Sequence, residues 1–249
     1  MSTQFWTTPS QRRIAYKSST SGGKVTFVWL SGFNSDMSGT KVLSLEAWAQ
    51  QQGVNFVAFD YSGHGLSDGD FADGTISAWR EDALAVIDER TAGDLILVGS
   101  SMGGWLALLS AMARPQRVKG LVLIAPAPDF TEKLMWSEFS ATAKAEIMEN
   151  SRYMRPSDYG EPYPITRDLI EDGRKWQILD SDITFTGPVR ILQGMADADV
   201  PWQHAQQLVS KMTSQDLVFS LIKDGDHRLS RDQDIARLKL TCTEIMSAI

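Results

Sequence analysis

A serine with the surroundings of a nucleophile lies at the centre of residues 99–103, which read G-S-S-M-G. The segment matches the pattern G-x-S-x-G around Ser101, and it stands between an apolar run and a helical stretch. A sharp strand-to-helix turn projects such a hydroxyl above a sheet, and Gly99 and Gly103 leave room for it because a Cβ would clash there. We therefore predict that Ser101 is a nucleophile rather than an incidental serine in a glycine-rich turn.

A serine nucleophile needs a base, and the chain contains 3 histidines. His64 lies in a turn after a predicted strand, His204 lies early in a predicted helix, and His227 follows the last predicted strand. Where a serine on such a turn is the nucleophile, the acid and then the histidine follow it, with the histidine after the last strand. We therefore predict His227 as the base, and we interpret His64 as a turn residue and His204 as a surface helix residue.

The acid that orients the base is expected at the end of the strand before the histidine loop. Residues 189–201 read V-R-I-L-Q-G-M-A-D-A-D-V-P, so Asp197 and Asp199 both follow a predicted strand. Either carboxylate could hold the imidazole in its useful tautomer and stabilise the imidazolium. Asp199 has a second interpretation as a turn or N-cap residue, because Pro201 suits the first turn of the next predicted helix.

An acyl-transfer site also needs backbone donors for the oxyanion. One is expected from the residue after the nucleophile, which is Met102, and the other from the loop after an early strand. That loop contains Gly32, which allows the backbone to turn, followed by Phe33. We predict that the amides of Phe33 and Met102 form the oxyanion hole.

Short apolar runs alternate with longer amphipathic stretches, which is typical of a doubly wound α/β sheet. The runs show little alternation, so we expect strands buried on both faces of a mostly parallel sheet. An antiparallel hairpin is expected at the sheet edge, and Ser230 with Gln233 predicts a capping box for the last helix. The predicted strands are 24–30, 55–60, 95–100, 120–125, 189–193 and 217–222, the hairpin 4–7 and 13–17, and the predicted helices 39–52, 75–90, 102–113, 202–212 and 231–247.

One region interrupts this rhythm. Residues 129–186 contain no good strand and many large apolar side chains, together with Pro156, Pro162 and Pro164. We interpret them as a mostly helical lid inserted into a core formed by residues 1–128 and 187–249. Apolar side chains of such a lid can line a recognition site. The predicted substrate-binding residues are Trp136, Phe139 and Met148, within an apolar set that also includes Phe130, Tyr153, Met154, Tyr159, Tyr163 and Trp176.

The sequence resembles the α/β-hydrolase superfamily and, more narrowly, the family of alpha/beta-hydrolase domain-containing protein 10 and its bacterial relatives. The resemblance covers nearly the whole chain, and its most specific segment is S-D-M-S-G-T-K at residues 35–41. It implies an α/β-hydrolase fold with a triad of Ser101, Asp197 and His227, and palmitoyl-protein thioesterase or acyl-glucuronide esterase activity. Further matching segments are 59–63, 67–69, 99–105, 155–159, 194–202 and 226–228.

The composition excludes several other classes. The formal net charge is −7, which argues against a nucleic-acid partner, because phosphates require a clustered basic surface. No apolar run approaches the roughly 18 residues of a membrane span, and no N-terminal cationic segment precedes an apolar one. The single cysteine, Cys242, excludes an internal disulfide and favours a reduced, cytoplasmic setting. No metal site and no cofactor are predicted, because the histidines are widely spaced and no H-E-x-x-H occurs.

These observations favour two-step acyl transfer. Ser101 is expected to attack an ester or thioester carbonyl of a small molecule or an acylated protein, and water then releases the acid. Two alternatives stay open at this point. The same triad can serve C–C bond hydrolysis or perhydrolysis, and the fold can serve as a ligand receptor without turnover.

Overall fold

A computed structural model of the chain describes residues 1–156 and 161–249. Its centre is an eight-stranded sheet in the order β1-β2-β4-β3-β5-β6-β9-β10. The strands from β4 to β10 in this order run parallel, and β1 and β2 pair antiparallel at one edge. The strands are β1 (Gln4–Thr7), β2 (Arg13–Ser19), β3 (Val25–Leu30), β4 (Asn55–Phe59), β5 (Asp94–Ser100), β6 (Val118–Ile124), β9 (Val189–Gly194) and β10 (Leu217–Ile222).

Helices cover both faces of the sheet because successive strand residues point to opposite sides. In β5, Leu95 and Leu97 face the cluster that contains α2, α3 and α6, and Ile96 and Val98 face the cluster that contains α1 and α7. The apolar run of β5 is thereby buried on both faces, as the sequence predicted. The helices are α1 (Thr40–Gln52), α2 (Ile76–Arg90), α3 (Met102–Ala113), α4 (Ala141–Asn150), α5 (Arg167–Arg174), α6 (Trp202–Lys211) and α7 (Asp232–Met246).

Two local predictions differ from the structure. The last helix takes Arg231 as its N-cap residue, and the Arg231 amide donates to the Asp234 carboxylate at 3.2 Å. The predicted capping residue Ser230 instead donates its hydroxyl to the Arg228 carbonyl at 3.0 Å. The second difference is β10, which lies at the sheet edge and is therefore only partly buried.

The segment between β6 and β9 carries a hairpin that the sequence analysis missed. Strands β7 (Arg152–Arg155) and β8 (Tyr163–Thr166) pair antiparallel, with Pro164 opposite Met154. Each strand is 4 residues long and mostly half-exposed, so it shows no apolar periodicity. A π-helical turn at Thr131–Trp136, α4 and α5 complete the segment as the structure describes it, whereas residues 157–160, with Tyr159 of the predicted lid, lie outside the described residues.

The segment is fastened to the core by a buried carboxylate. Asp129 is fully buried, and its two carboxylate oxygens accept the amide hydrogens of Ile178 at 2.8 Å and Leu179 at 3.0 Å. These bonds tie the start of the segment to a point near its end. Within residues 1–156 and 161–249, no helix is both long and apolar enough to cross a membrane.

Candidate active site

Ser101 lies at the sharp turn between β5 and α3. Its backbone has φ 55° and ψ −120°, a conformation that residues with a Cβ rarely adopt. Close packing holds the turn: a Cβ on Gly99 would overlap the carbonyl oxygen of Gly103, and one on Gly103 would lie 2.6 Å from the Ser31 carbonyl oxygen. The two glycines of the pattern are thus required by backbone contacts with their neighbours.

His227 connects Ser101 to Asp197 across three loops at the carboxyl end of the sheet. Its Nε2 lies 3.1 Å from Ser101 Oγ, and its Nδ1 lies 2.8 Å from Asp197 Oδ2. Because an ionised carboxylate can only accept, Nδ1 carries the proton and Nε2 is left to accept from the serine hydroxyl. The Asp197 side chain is fully buried and that of His227 is 21% exposed. The arrangement can draw a proton from a serine hydroxyl.

Asp197 is held by four donors. Its Oδ1 accepts from the amides of Asp199 at 2.9 Å and Val200 at 2.8 Å. Its Oδ2 accepts from His227 and from Gln193 Nε2, the latter at 3.1 Å. Gln193 is fully buried on β9 and was missed from the sequence, although a polar residue in an apolar strand was the available signal. Its side chain holds the Asp197 carboxylate in place, and that carboxylate in turn orients the His227 imidazole.

The other candidate for the orienting acid is Asp199. Asp199 lies on the exposed side of the same turn and lines the cavity beside Ser101, while the N-cap residue of α6 is Pro201. Of the two interpretations of Asp199, as a turn or an N-cap residue, the N-cap one is wrong, and the residue lies in the turn before Pro201. Ligand atoms of Asp197, Asp199 and His227 lie within 4.8 Å of one another, a spacing that a metal ion could use. The hydrogen bond between Asp197 and His227 accounts for two of these three groups.

The predicted oxyanion donors lie on the two sides of Ser101. Met102 is the first residue of α3, so its amide belongs to the first helical turn, where amides have no partner within the helix. Gly32 lies against the nucleophile, since a Cβ there would be 3.3 Å from Ser101 Cβ. Phe33 follows and lines the same cavity as Ser101 and His227. This geometry is compatible with the prediction for both amides.

Two buried polar residues hold the loop after β3, and the sequence analysis assigned neither of them this role. His64 accepts the Asn34 amide hydrogen at Nε2, 3.2 Å away, and its Nδ1 lies 3.3 Å from the Ser62 carbonyl oxygen. Burial lowers the pKa of His64 to about 4, so the ring is neutral and able to accept at Nε2. Asp60 accepts the Met37 amide hydrogen at 2.7 Å.

The third histidine, His204, does not lie on the surface as the sequence analysis predicted. His204 is buried. Its Nε2 donates to the Pro128 carbonyl oxygen at 2.8 Å. Burial lowers its pKa. His204 therefore fastens α6 to the start of the segment after β6, and it lies outside the lining of the cavities beside Ser101.

A cavity of about 270 Å³ opens beside Ser101 and His227. Most of its described lining residues are apolar, and Glu138, Arg155 and Asp199 are its charged members. The ring of Phe33 is fixed on one side of this cavity by neighbouring rings, with Phe130 5.5 Å and Tyr163 5.8 Å away between centroids. The apolar lining is formed by Phe33, Ala127, Phe130, Leu134, Met135, Pro156, Tyr163, Ala198 and Val200.

The three predicted substrate-binding residues lie elsewhere. Trp136 turns its ring toward Lys144 and Arg174, whose cationic atoms lie 5.5 and 5.0 Å from its centroid. Phe139 packs edge-on against Tyr153, and Met148 is 39% exposed. None of the three belongs to the described lining of the cavity. Large apolar side chains identify the segment, but the packing of its turns and helices decides which of them face inward.

Comparison with known proteins identifies the chain. Residues 24–172 match the family model described as serine aminopeptidase, S33. The palmitoyl-protein thioesterase ABHD10 of Bos taurus is 36% identical over 250 residues, covering 100% of this chain and 81% of the relative. The chain belongs to the serine aminopeptidase S33 family of α/β-hydrolases. The Mus musculus ABHD10 is 36% identical over 95% of this α/β-hydrolase and 80% of that relative.

Solved structures agree with this assignment. A hydrolase from Agrobacterium vitis S4 superimposes with a TM-score of 0.94 at 45% identity, covering 98% of each chain. The mouse alpha/beta hydrolase domain-containing protein 10 superimposes with a TM-score of 0.92 at 35% identity, covering 99% of each chain. The predicted α/β-hydrolase fold and the resemblance to the domain-containing protein 10 family are confirmed, and the chain is a hydrolase.

The relatives correct the predicted location. The ABHD10 proteins of Bos taurus, Mus musculus and Homo sapiens are named as mitochondrial, which contradicts the cytoplasmic expectation for this α/β-hydrolase. The expectation depended on Cys242, which is a fully buried core residue against the sheet. Burial raises the pKa of its thiol well above the usual value. A thiol in that position is part of the packed core, so it gives no information on whether the compartment is reducing or oxidising.

Proposed function

We propose that this hydrolase cleaves carboxylic ester or thioester bonds through an acyl-enzyme on Ser101. The observation that carries the proposal is the hydrogen-bonded chain from Asp197 through His227 to Ser101, beside a cavity lined mostly by apolar residues. The names of the full-length relatives, palmitoyl-protein thioesterases, favour a thioester or ester carbonyl over other bonds.

The first half-reaction forms the acyl-enzyme. Ser101 Oγ bonds to the carbonyl carbon while His227 Nε2 takes the hydroxyl proton and Asp197 stabilises the imidazolium. The amides of Phe33 and Met102 receive the oxyanion. The carbon–sulfur or carbon–oxygen bond then breaks, and His227 returns its proton to the leaving thiol or alcohol.

The second half-reaction releases the acid. Water gives a proton to His227 Nε2 and attacks the acyl carbon. The bond to Oγ breaks as the serine regains the proton. The acyl chain lies in the cavity lined by Phe130, Leu134 and Met135, which favours medium or long chains through apolar burial. We also propose that residues 129–186 act as a lid over this cavity.

The test compares Ser101→Ala with wild type on a p-nitrophenyl ester and on an acyl thioester. Loss of a triad member usually costs orders of magnitude in rate, so we expect turnover to fall by about a thousandfold or more. Ser110→Ala on the same helix α3 is the matched control, since it removes a buried hydroxyl away from the cavity lining. Turnover of Ser101→Ala within tenfold of wild type would refute the proposal.

A further inference from the structure

A second cavity meets the first at Ser101 and His227. It has a volume of about 540 Å³ and is lined by the loop after β3, the first turn of α1 and the residues after His227. More of its described lining residues are polar than in the first cavity, and the two share Phe33, Asn34, Ser101 and His227. Its polar side chains include those of Ser35, Asp36, Thr40, Lys41, Arg228 and Ser230.

Two cationic residues, Lys41 and Arg228, line this second cavity. Lys41 lies in the first turn of α1, and its Nζ donates to the carbonyl oxygen of Arg228, the residue after the base. Burial, followed by repulsion from the Arg228 guanidinium, lowers the pKa of Lys41 to about 8, so it is largely protonated at neutral pH. Two cations that line one cavity attract an anion that enters it.

The described lining of this cavity contains more cations than acids, because most of the nearby acids lie outside it. Asp36 is the acidic residue of the described lining, and its Oδ1 accepts from the amide and the hydroxyl of Ser38 at 2.7 and 2.5 Å. Asp226, Asp234 and Asp197 also attract Lys41, from outside the lining. Among the described lining residues, two permanent or largely protonated cations therefore face one carboxylate. The first cavity, with Glu138, Arg155 and Asp199, has the opposite balance.

The position of Ser101 at the junction assigns a role to each cavity. A carbonyl carbon bonded to Oγ has two substituents that must diverge, the acyl chain and the leaving group. The apolar wall suits the acyl chain, which leaves the second cavity for the leaving group. We propose that Lys41 and Arg228 form a leaving-group subsite that selects substrates whose alcohol or thiol part carries an anion. This inference rests on the proposed function and adds the chemical class of the group released.

The test uses pairs of substrates that differ in the charge of the leaving group. One pair comprises octanoyl esters of 4-hydroxyphenylacetate, which is anionic, and of 4-hydroxyphenylacetamide, which is neutral. A second pair comprises octanoyl thioesters of coenzyme A, which carries phosphates, and of N-acetylcysteamine, which does not. For wild type we expect kcat/KM to be roughly fivefold to tenfold higher for the anionic member of at least one pair, and to converge at high salt.

Variants of Lys41 separate charge from structure. Lys41→Met should remove most of the preference, and Lys41→Arg should keep it, whereas the neutral substrate reports any displacement of the His227 loop. Lys24→Met is the matched control, because it removes the same charge just before the amino end of β3, whereas the site lies at the carboxyl ends of the strands. We expect its preference to equal that of wild type.

The outcomes are distinct. A preference lost in Lys41→Met but kept in Lys24→Met supports the subsite, and the pair that shows it tells whether a carboxylate or a phosphate is bound. Equal kcat/KM for both members of both pairs in wild type, or a preference unchanged in Lys41→Met, overturns the subsite while leaving the acyl-enzyme in place. No turnover of any of the four substrates overturns the proposed function as well.

Discussion

Replacing Gly103 with alanine should separate the two sides of the oxyanion hole. The added Cβ would overlap the carbonyl oxygen of Leu30 and lie 2.6 Å from the carbonyl oxygen of Ser31. Carbon and oxygen atoms approach comfortably to about 3.3 Å, so the helix and the strand must move apart by roughly 1 Å. The strain falls on backbone atoms, which cannot rotate away as a side chain can.

The expected loss of activity in Gly103→Ala follows from which element carries each of the two predicted oxyanion donors. Met102 moves with α3, and Phe33 moves with the loop after β3, so the two predicted donors separate by about the same distance. A displacement of about 1 Å costs roughly a hundredfold in rate, and we expect kcat/KM of Gly103→Ala to fall by about that factor. Overpacking costs about 1–3 kcal/mol of unfolding free energy, which for a chain of this size lowers Tm by roughly 3–10 °C.

The assay is p-nitrophenyl ester hydrolysis together with thermal unfolding. Gly32→Ala and Gly23→Ala make a matched pair of controls, because in both the atom nearest to the added Cβ lies at 3.3 Å. In Gly32→Ala the Cβ meets Ser100 and Ser101, whereas in Gly23→Ala it meets Gly53, away from the site. We expect kcat/KM to fall for Gly32→Ala and to stay at the wild-type value for Gly23→Ala. A Gly103→Ala protein with wild-type kcat/KM and Tm, or equal effects of the two controls, would refute the reasoning.

Three further predictions address the groups around this centre. Gln193→Leu removes a donor to the Asp197 carboxylate, and bonds to charged groups are worth about 1.5–3 kcal/mol, so steady-state kinetics should show kcat lowered roughly tenfold to a hundredfold. The pKa of His64 is lowered to about 4 by burial, so the unfolded chain binds the proton first and stability falls between pH 6.5 and pH 4. Urea unfolding should show wild type losing about 3 kcal/mol more than His64→Gln over that range, and equal losses would contradict the assignment. Met135→Trp fills the apolar cavity, so the ratio of kcat/KM for decanoyl to butanoyl p-nitrophenyl esters should fall at least tenfold.

Chain order and local pattern predicted Ser101 and His227 and limited the acid to Asp197 or Asp199, and the resemblance to the α/β-hydrolases selected Asp197. Ser101, Asp197 and His227 follow three different parallel strands, and the carboxyl ends of such strands lie at one edge of a sheet. The buried strand β5 was also predictable, because residues covered on both faces must all be apolar. The structure brings these three side chains to hydrogen-bonding distance, while their catalytic roles stay a prediction.

What the sequence could not predict depends on contacts between distant segments. The role of His64 exists only because its ring meets the Asn34 amide, 30 residues away in sequence. The hairpin β7–β8 consists of half-exposed residues whose pairing leaves no periodic signal. The cavity wall includes Met135 rather than Trp136, because adjacent helical residues point in different directions and the sequence does not fix which of them faces the site.

The most direct test of the acyl-enzyme is to find the acyl group on the protein. Wild type and His227→Ala are mixed with an octanoyl thioester, quenched in acid within milliseconds to seconds, digested and examined by mass spectrometry. We predict that wild type carries an octanoyl adduct on the peptide that contains Ser101 during turnover, and that His227→Ala acquires it far more slowly. Rapid turnover with no adduct on that peptide at any time would contradict the account.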